Sequence, residues 1–145
     1  MLAGGDGYGA EAIHSLIERE GLSGHVVRLG HASPDTLRVL YSTATALVFP
    51  SLEEGFGMPI LEAMSCGLPV ITSNCSAMPE VGGDAALYVD PRNVPEISEA
   101  MRRVAEDESL ASNLRCRGRE RASLFTWAKC AEQTWEMYRH ILGER

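Results

Sequence analysis

Two apolar strands with a helix between them are predicted by residues 46–73, which read ALVFPSLEEGFGMPILEAMSCGLPVITS. The runs at 46–49 and 69–72 are largely apolar, which is typical of strands in a parallel sheet that is covered on both faces. Pro59 and Gly67 bound the helix, because proline is favoured in the first turn of a helix and glycine just after its last residue. The segment therefore predicts a β-α-β unit with a glycine-containing loop where its first strand ends.

The remainder of the chain continues this alternation of short strands and helices. Strands are predicted at 26–29 and 85–89, and residues 1–3 are interpreted as the end of a strand whose beginning is missing. Helices are predicted at 10–20, from Ser33, from Asn93, near 110–114 and from Thr126. Such alternation indicates the α/β class, here a Rossmann-like, doubly wound parallel sheet followed by a helical C-terminus.

Composition and charge exclude several classes of protein. A length of 145 residues suits one domain, and no apolar run approaches the ~18 residues of a membrane span. The net charge of −7 argues against a duplex DNA-binding protein, so no nucleic-acid partner is expected. The four cysteines lack zinc-ligand spacing, the N-terminus does not resemble a secretory signal, and we expect a cytoplasmic protein.

Residues 5–10, GDGYGA, match the pattern G-x-G-x-x-[G/A] of dinucleotide-binding turns. That fingerprint also requires an acidic residue at the end of the next strand, where it binds the ribose hydroxyls. The next strand is followed by Gly30 and His31, and no acid is present there. The glycine cluster is therefore interpreted as a flexible strand-to-helix turn rather than as an NAD site.

The helix within residues 46–73 lacks the side chain that normally caps a helix start. Other clear helix starts have an oxygen-bearing side chain at the cap, namely Ser33, Asn93 and Thr126. Here the cap position is assigned to Met58, which offers no oxygen to the unpaired N–H groups of the first turn. A phosphate group is a common partner for such N–H groups. Water, or the side chain of Glu54 folding back, is the alternative, and this observation leaves both open.

Two carboxylates flank this helix start. Glu54 lies in the loop, and Glu62 follows Pro59 by three positions, which places it one turn along the helix. A carboxylate readily accepts two hydrogen bonds from sugar hydroxyls, so both residues are candidates to bind one sugar-containing ligand. The alternatives are a solvated loop acid for Glu54 and a favourable first-turn charge for Glu62.

The segment resembles the E-x(7)-E signature of retaining GT-B glycosyltransferases, a family that includes sucrose synthases and the mannosyl- and glucosyltransferases of lipopolysaccharide and capsule. Glu54 and Glu62 are separated by residues that include GFGMP at 55–59. The similarity covers nearly the whole chain and extends to Leu29-Gly30, Leu40-Tyr41-Ser42, Glu62-Ala63-Met64, Gly67-Leu68-Pro69-Val70-Ile71, Pro79-Glu80-Val81 and Leu87-Tyr88-Val89-Asp90-Pro91. Residues 73–74 and 83–87 are most similar to the mannosyltransferase-type members.

The resemblance implies half of a GT-B fold and a donor-sugar site formed by Glu54, Gly55, Phe56 and Gly57. It implies that Glu62 binds the ribose of the nucleotide. The implied reaction transfers a mannosyl or glucosyl group from a nucleotide sugar, such as GDP-mannose or UDP-glucose, to an acceptor hydroxyl with retention of anomeric configuration. Polysaccharide biosynthesis is the implied process.

The resemblance also implies how the rest of the nucleotide is bound. Backbone N–H groups at Gly57, Met58 and Ile60 are implied to face the donor phosphates, and Gly30 and His31 to lie near the base. No metal and no cofactor are expected, because such enzymes stabilise the leaving diphosphate with cationic side chains and a helix N-terminus.

The chain departs from the family pattern in two respects. The family has an Arg and a Lys on an early strand and loop, whereas the only basic residues before residue 91 here are Arg19, Arg28 and Arg38. The family also has an N-terminal acceptor-binding domain. We therefore interpret residues 1–145 as the C-terminal nucleotide-sugar-binding domain without its acceptor domain. On its own the chain is expected to be inactive, and the full-length enzyme is expected at the membrane periphery.

Two further expectations complete the sequence-based interpretation. The alternative function is a non-catalytic nucleotide-binding or interaction module with the same fold. The last helix has an apolar stripe that predicts either core packing or an interface, and self-association is expected from it; its residues are Trp127, Cys130, Ala131, Thr134, Trp135, Tyr138, Ile141 and Leu142.

Overall fold

A computed structural model of the protein describes residues 1–7 and 9–143. The chain divides into two compact units, Met1–Val39 and Leu40–Arg145. Parallel strands alternate with helices in both, so the predicted α/β class is confirmed. The parallel pairing is divided between a two-stranded sheet and a three-stranded sheet. Among the described residues, no helix combines the length and apolar character needed to cross a membrane.

The first unit contains the two-stranded parallel sheet and the helix that connects its strands. Its elements are β1 (Leu2–Ala3), α1 (Ala10–Arg19), β2 (Arg28–Gly30) and the first part of α2 (Pro34–Thr43). The strand predicted at 26–29 begins later because the N–H groups of His25 and Val26 both donate to the carbonyl of Leu22 in a turn. Ser33 caps α2 as predicted, accepting the N–H of Thr36 at 3.2 Å.

The turn before α1 is the glycine-rich segment for which the sequence predicts a flexible turn rather than a dinucleotide site. Gly9 begins α1 in a left-handed conformation, with φ 82°, and supplies no side-chain cap. Asp6 in the same turn lies 3.3 Å from Nε2 of His14. Tyr8, which is part of the turn, lies outside the described residues.

The second unit contains the three-stranded parallel sheet, in the order β3-β4-β5. Its elements are β3 (Leu47–Phe49), α3 (Met58–Ser65), β4 (Val70–Ser73), α4 (Met78–Gly82), β5 (Leu87–Val89), α5 (Val94–Glu106), α6 (Glu108–Ser123) and α7 (Trp127–Leu142). Asn93 and Thr126 cap α5 and α7 as predicted, each accepting a backbone N–H from the first turn.

Side chains of the central strand β4 point alternately to two faces, and each face has its own core. Val70 belongs to a cluster with buried residues of α3 and α4, while Ile71 belongs to one with buried residues of α5 and α6. The second face is completed by Val104 and Leu114, both nearly inaccessible to solvent. Coverage on both faces explains why the strands are largely apolar.

Helix α6 packs closely on α3, the helix that follows the loop of residues 50–57. At their contact stands Gly118, where an added Cβ would lie 3.3 Å from Cγ of the buried Met64. Only a residue without a side chain permits this approach without displacing Met64. The packing fixes α3, and with it the position of Glu62, against a long helix.

Three sequence-based expectations for this unit are revised by the structure. Residues 78–82 form α4, although they were not predicted to be helical. The strand predicted at 85–89 begins only at Leu87, because the N–H of Ala85 donates to the carbonyl of Gly82 at 3.0 Å in the turn that ends α4. Of the two roles predicted for the α7 stripe, core packing within this chain is wrong, and an interface stays a prediction. No described residue of α7 is buried, and Trp127 is 81% exposed.

Candidate functional site

The candidate site is formed by two loops at the carboxyl ends of neighbouring parallel strands. The loop after β3, residues 50–57, contains Glu54 and leads into α3; we call it the motif loop. The loop after β4, residues 74–77, leads into α4. Because β3 and β4 are paired in parallel, with Phe49 opposite Thr72, the two loops emerge at the same edge of the sheet. Ligands of open α/β sheets bind at this edge.

The start of α3 is shaped by Gly57, which the structure identifies as the N-cap in place of the predicted Met58. Gly57 is buried and has φ 94°, a conformation that glycine adopts without strain. A Cβ on Gly57 would lie 2.8 Å from Cε of Met78, so a larger residue would also displace the end of that side chain. The helix therefore begins at Met58, one residue earlier than predicted, and no side chain caps it.

Although no side chain caps α3, its first turn offers few backbone donors to a ligand. Pro59 has no N–H, and the N–H of Ile60 donates to the carbonyl of Gly57 at 3.0 Å. The prediction that Ile60 offers its N–H to a phosphate is therefore not supported by the backbone geometry. For Gly57 and Met58 the same role stays a prediction.

Glu54 is half-buried and is held by contacts on both its side chain and its backbone. Oγ of Ser51 donates to Oε1 of Glu54 at 3.1 Å. The backbone N–H of Glu54 donates to Oγ of Ser76 at 3.0 Å. The Ser76 hydroxyl in turn donates to the carbonyl oxygen of Glu54, also at 3.0 Å. Sequence reasoning missed both serines, because neither contact belongs to a helix cap that a local pattern would indicate.

Glu62 lies on the exposed face of α3, while its neighbours Leu61 and Ala63 are buried. The hydroxyl of Tyr41, on α2, donates to Oε2 of Glu62 at 3.2 Å. Burial of the phenol, together with the nearby negative charge of Glu62, raises the pKa of Tyr41 to about 12. The phenol therefore keeps its proton and remains a hydrogen-bond donor to the carboxylate throughout the physiological pH range.

Phe56 is the exposed aromatic residue of the motif loop, and its ring is packed at one edge. It contacts Phe125 edge to face, with 5.9 Å between ring centroids and 76° between planes. The guanidinium of Arg121 lies 4.9 Å from the centroid of Phe125 and donates to the carbonyl of Val81 at 3.0 Å. The segment after α6 thus supports the motif loop through Phe56, which remains 42% exposed.

The residues predicted to lie near the base, Gly30 and His31, belong to the first unit. Gly30 ends β2 with φ 63°, and His31 follows it with an exposed side chain. Their role near a base stays a prediction. In the part of the chain that the structure describes, no group of three or more His, Cys, Asp or Glu side chains is arranged to hold a metal ion.

Comparison with known proteins identifies the family. The model of the family described as "Glycosyl transferases group 1" matches residues 1–121 of the chain. The O-antigen chain mannosyltransferase B of Escherichia coli is 40% identical over 139 residues, which cover 96% of this chain and 36% of that protein. The MMP alpha-(1->4)-mannosyltransferase of Mycolicibacterium hassiacum is 35% identical over 88% of this chain and 32% of that protein. The chain belongs to the glycosyl transferases group 1 family, and it spans about a third of the length of these relatives.

Solved structures agree with this assignment at the level of the fold. Sucrose-phosphate synthase from Thermosynechococcus elongatus superimposes with a TM-score of 0.86 at 32% identity, covering 98% of this chain and 38% of that one. The Anabaena protein Alr3699/HepE, solved with UDP and glucose, has a TM-score of 0.86 at 24% identity, covering 96% of this chain and 40% of that one. The GT-B half-fold predicted from the sequence is therefore confirmed.

Proposed function

We propose that this chain is the donor-binding part of a retaining glycosyltransferase that transfers a hexosyl group, mannosyl or glucosyl, from a nucleotide sugar to an acceptor hydroxyl. The observation that carries the proposal is the arrangement around α3. An uncapped helix N-terminus at Gly57 is flanked by Glu54 and Glu62, and a hydroxyl group donates to each carboxylate. The family and its mannosyltransferase members support the same conclusion.

In this proposal each part of the site binds a different part of the donor. Glu54 accepts hydrogen bonds from hydroxyls of the transferred sugar, with Gly55 and Phe56 beside it, and Glu62 accepts them from the ribose. The N–H groups of Gly57 and Met58 point their positive ends at the diphosphate. Negative charge grows on the diphosphate as its bond to the sugar breaks, and fixed N–H donors with a helix dipole stabilise such charge.

The nature of the donor follows from the relatives, and it is a proposal for this chain. The two curated relatives described above are named as mannosyltransferases, which favours a mannosyl donor such as GDP-mannose. The Anabaena structure with UDP and glucose makes UDP-glucose the second donor to test. We propose that Gly30 and His31 contact the base and that transfer requires no metal ion.

Acceptor binding is proposed to depend on protein beyond these 145 residues, because the chain spans only 36% of its Escherichia coli relative. We expect the 145-residue chain alone to give no measurable transfer to a glycan or lipid acceptor. Measurable transfer by the purified chain would contradict this expectation. Binding of the donor, in contrast, is expected to need mainly the residues of α3 and its flanking loops.

A calorimetric binding panel tests the proposal directly. GDP, UDP and ADP are titrated with and without their hexosyl groups, and one nucleotide with its sugar is expected to bind more tightly than the others. The full-length protein is then given that donor, and the anomeric configuration of the product is read by NMR. Failure of every nucleotide to bind would favour the non-catalytic module, and an inverted product would contradict the retaining mechanism.

A further inference from the structure

Among the described residues other than glycine, only Ser76 has a left-handed backbone conformation, with φ 56°. It lies in the turn between β4 and α4, where the N–H of Met78 donates to the carbonyl of Cys75 at 3.3 Å. Glycine is the residue that such a turn position favours, because a side chain at positive φ is strained. A serine here therefore indicates that the hydroxyl has a function that glycine would not provide.

The hydroxyl of Ser76 makes a reciprocal pair of hydrogen bonds with one residue of the motif loop. It accepts from the backbone N–H of Glu54 and donates to the carbonyl of Glu54, both at 3.0 Å. The two bonds fix both sides of the Glu54 backbone at once. The peptide groups around Glu54 therefore have a defined orientation, and the side chain leaves the backbone in a defined direction.

The preceding residue strengthens the same connection between the two loops. The thiol of Cys75 donates to the carbonyl of Leu52 at 3.5 Å, with a longer contact of 3.9 Å to the carbonyl of Ser51. Ser51 in turn holds the Glu54 carboxylate through its own hydroxyl. Residues 75–76 thus support the motif loop from its beginning to its glutamate, and the strained residue supplies the contacts nearest to Glu54.

We infer that Ser76 is a positioning residue for the donor sugar: it holds the backbone of Glu54 so that the carboxylate meets the sugar hydroxyls. The inference rests on the proposed function, since it assigns the sugar contact to Glu54. Ser76 itself need not touch the donor. Its contribution is geometric, and small displacements of a group that orients a substrate reduce turnover by up to about a hundredfold.

Two substitutions separate positioning from backbone strain. Ser76→Gly removes the hydroxyl and relieves the strain, while Ser76→Ala removes the hydroxyl and keeps the strain. If Ser76 positions Glu54, both variants lower the release of nucleoside diphosphate from GDP-mannose or UDP-glucose by about ten- to a hundredfold. Both are expected to bind free GDP or UDP as the wild type does, because the ribose contact at Glu62 is unaffected. The extra affinity that the sugar gives to the donor should fall in both.

The full-length protein is used, with Ser123→Ala as the matched control. Ser123 is an exposed serine whose hydroxyl also donates to a backbone carbonyl, that of Glu120, at 2.7 Å. Replacing it with alanine is expected to leave turnover unchanged. Adding Ser76→Gly to Glu54→Gln should cause little further loss, because residues that act through one another are not additive. A purely structural residue would instead give additive losses.

The outcomes distinguish this inference from the proposed function. The positioning role is wrong if Ser76→Gly keeps wild-type turnover, or if it loses affinity for free nucleotide and turnover equally. Neither result contradicts the proposed glycosyltransferase function. If the wild-type protein neither binds nor turns over any of the nucleotide sugars, the proposed function fails, and the positioning role fails with it. Loss of turnover in both variants, with free nucleotide affinity retained and no additivity with Glu54→Gln, supports the inference.

Discussion

The hydroxyl of Tyr41 donates to Oε2 of Glu62 at 3.2 Å, so one oxygen of the second motif glutamate is bonded within the protein. Tyr41 lies on α2 and Glu62 on α3, and the bond therefore orients the carboxylate from a neighbouring helix. We propose that the other oxygen, Oε1, accepts a hydrogen bond from the ligand. A carboxylate that is fixed in this way loses less conformational freedom when it binds a ribose, which favours tighter binding.

Replacement of Tyr41 by phenylalanine tests this orienting role. Tyr41→Phe keeps the ring and removes the bond that orients the Glu62 carboxylate. Ordering one side chain during binding costs about 0.5–1.5 kcal/mol, or roughly two- to tenfold in affinity. We expect the affinity for free nucleoside diphosphate to fall by that factor in calorimetric titration. Tyr138→Phe, on the exposed helix α7, is the matched control. Equal affinity of Tyr41→Phe and the wild type would show that Glu62 needs no such support.

The raised pKa of Tyr41 predicts that the folded protein loses stability at alkaline pH. The pKa of Tyr41 is raised from 10.0 to about 12, mainly because burial disfavours the phenolate. Between these two pH values the unfolded chain releases the proton while the folded chain keeps it, so the free energy of unfolding falls as pH rises. The contribution is fully present below pH 10.0 and is lost as pH approaches about 12.

Urea denaturation of the wild type and Tyr41→Phe over that alkaline range checks the prediction. The wild type is expected to lose stability more steeply than the variant. Tyr88, whose pKa is also raised by burial, is present in both proteins and therefore cancels in the comparison. Parallel curves for the two proteins would contradict the assigned role of Tyr41.

Contacts between neighbours in the sequence were predictable, and contacts between distant loops were not. The strands, the capped helix starts and the pair Glu54 and Glu62 all follow from local patterns. The bonds Tyr41–Glu62 and Ser76–Glu54 join residues 21 and 22 positions apart, and nothing in either local sequence indicates them. They arise from tertiary packing within the second unit, which brings Tyr41 and the loop after β4 beside the motif loop.

The errors also have physical reasons. Met58 is assigned to the helix cap in the sequence because proline favours the first helical position, whereas in the structure Pro59 is the second residue of α3 and Gly57 is the N-cap with a left-handed backbone. The α7 stripe was assigned partly to the core because an apolar periodicity shows that a face is apolar, not what covers it. The short helix α4 spans only Met78–Gly82, too few residues for a periodic pattern.

Gly57→Ala is expected to destabilise the second unit and reshape the start of α3. A side chain at φ 94° is strained, and its Cβ would lie 2.8 Å from Cε of the buried Met78. Strained backbone of this kind costs about 1–3 kcal/mol, measurable by urea denaturation. Gly55→Ala is the matched control for stability, since a Cβ there meets nothing within 4 Å. Equal stability of both variants would contradict the strain argument.

The exposed apolar face of α7 predicts that the chain self-associates. Trp135 and Leu142 lie on the predicted stripe and are 63% and 71% exposed, and large exposed apolar patches promote association. We expect sedimentation to show concentration-dependent association that Trp135→Gln and Leu142→Gln reduce. Met137→Gln is the matched control, because Met137 is exposed but lies off the stripe. A monomer at high concentration, with no binding of a hydrophobic dye, would contradict this prediction.

The two motif glutamates are expected to give opposite signatures in the full-length protein. If Glu62 binds the ribose, Glu62→Gln weakens the affinity for both free nucleoside diphosphate and nucleotide sugar. Loss of a hydrogen bond to a charged group is worth about 1.5–3 kcal/mol, or roughly ten- to a hundredfold. If Glu54 binds the sugar, Glu54→Gln leaves the affinity for free nucleoside diphosphate near the wild-type value and lowers turnover instead.

Glu53→Gln provides a control with the same change of charge. Glu53 is an exposed acid in the same loop, directly before Glu54, and its replacement is expected to alter neither quantity. A chelator in the same assay is expected to change nothing, because we propose that the helix N-terminus rather than a metal ion stabilises the diphosphate. Equal weakening of nucleotide affinity by Glu54→Gln and Glu62→Gln would show that the assigned roles are wrong. Unchanged affinity and turnover in both variants would instead identify the two residues as solvated acids.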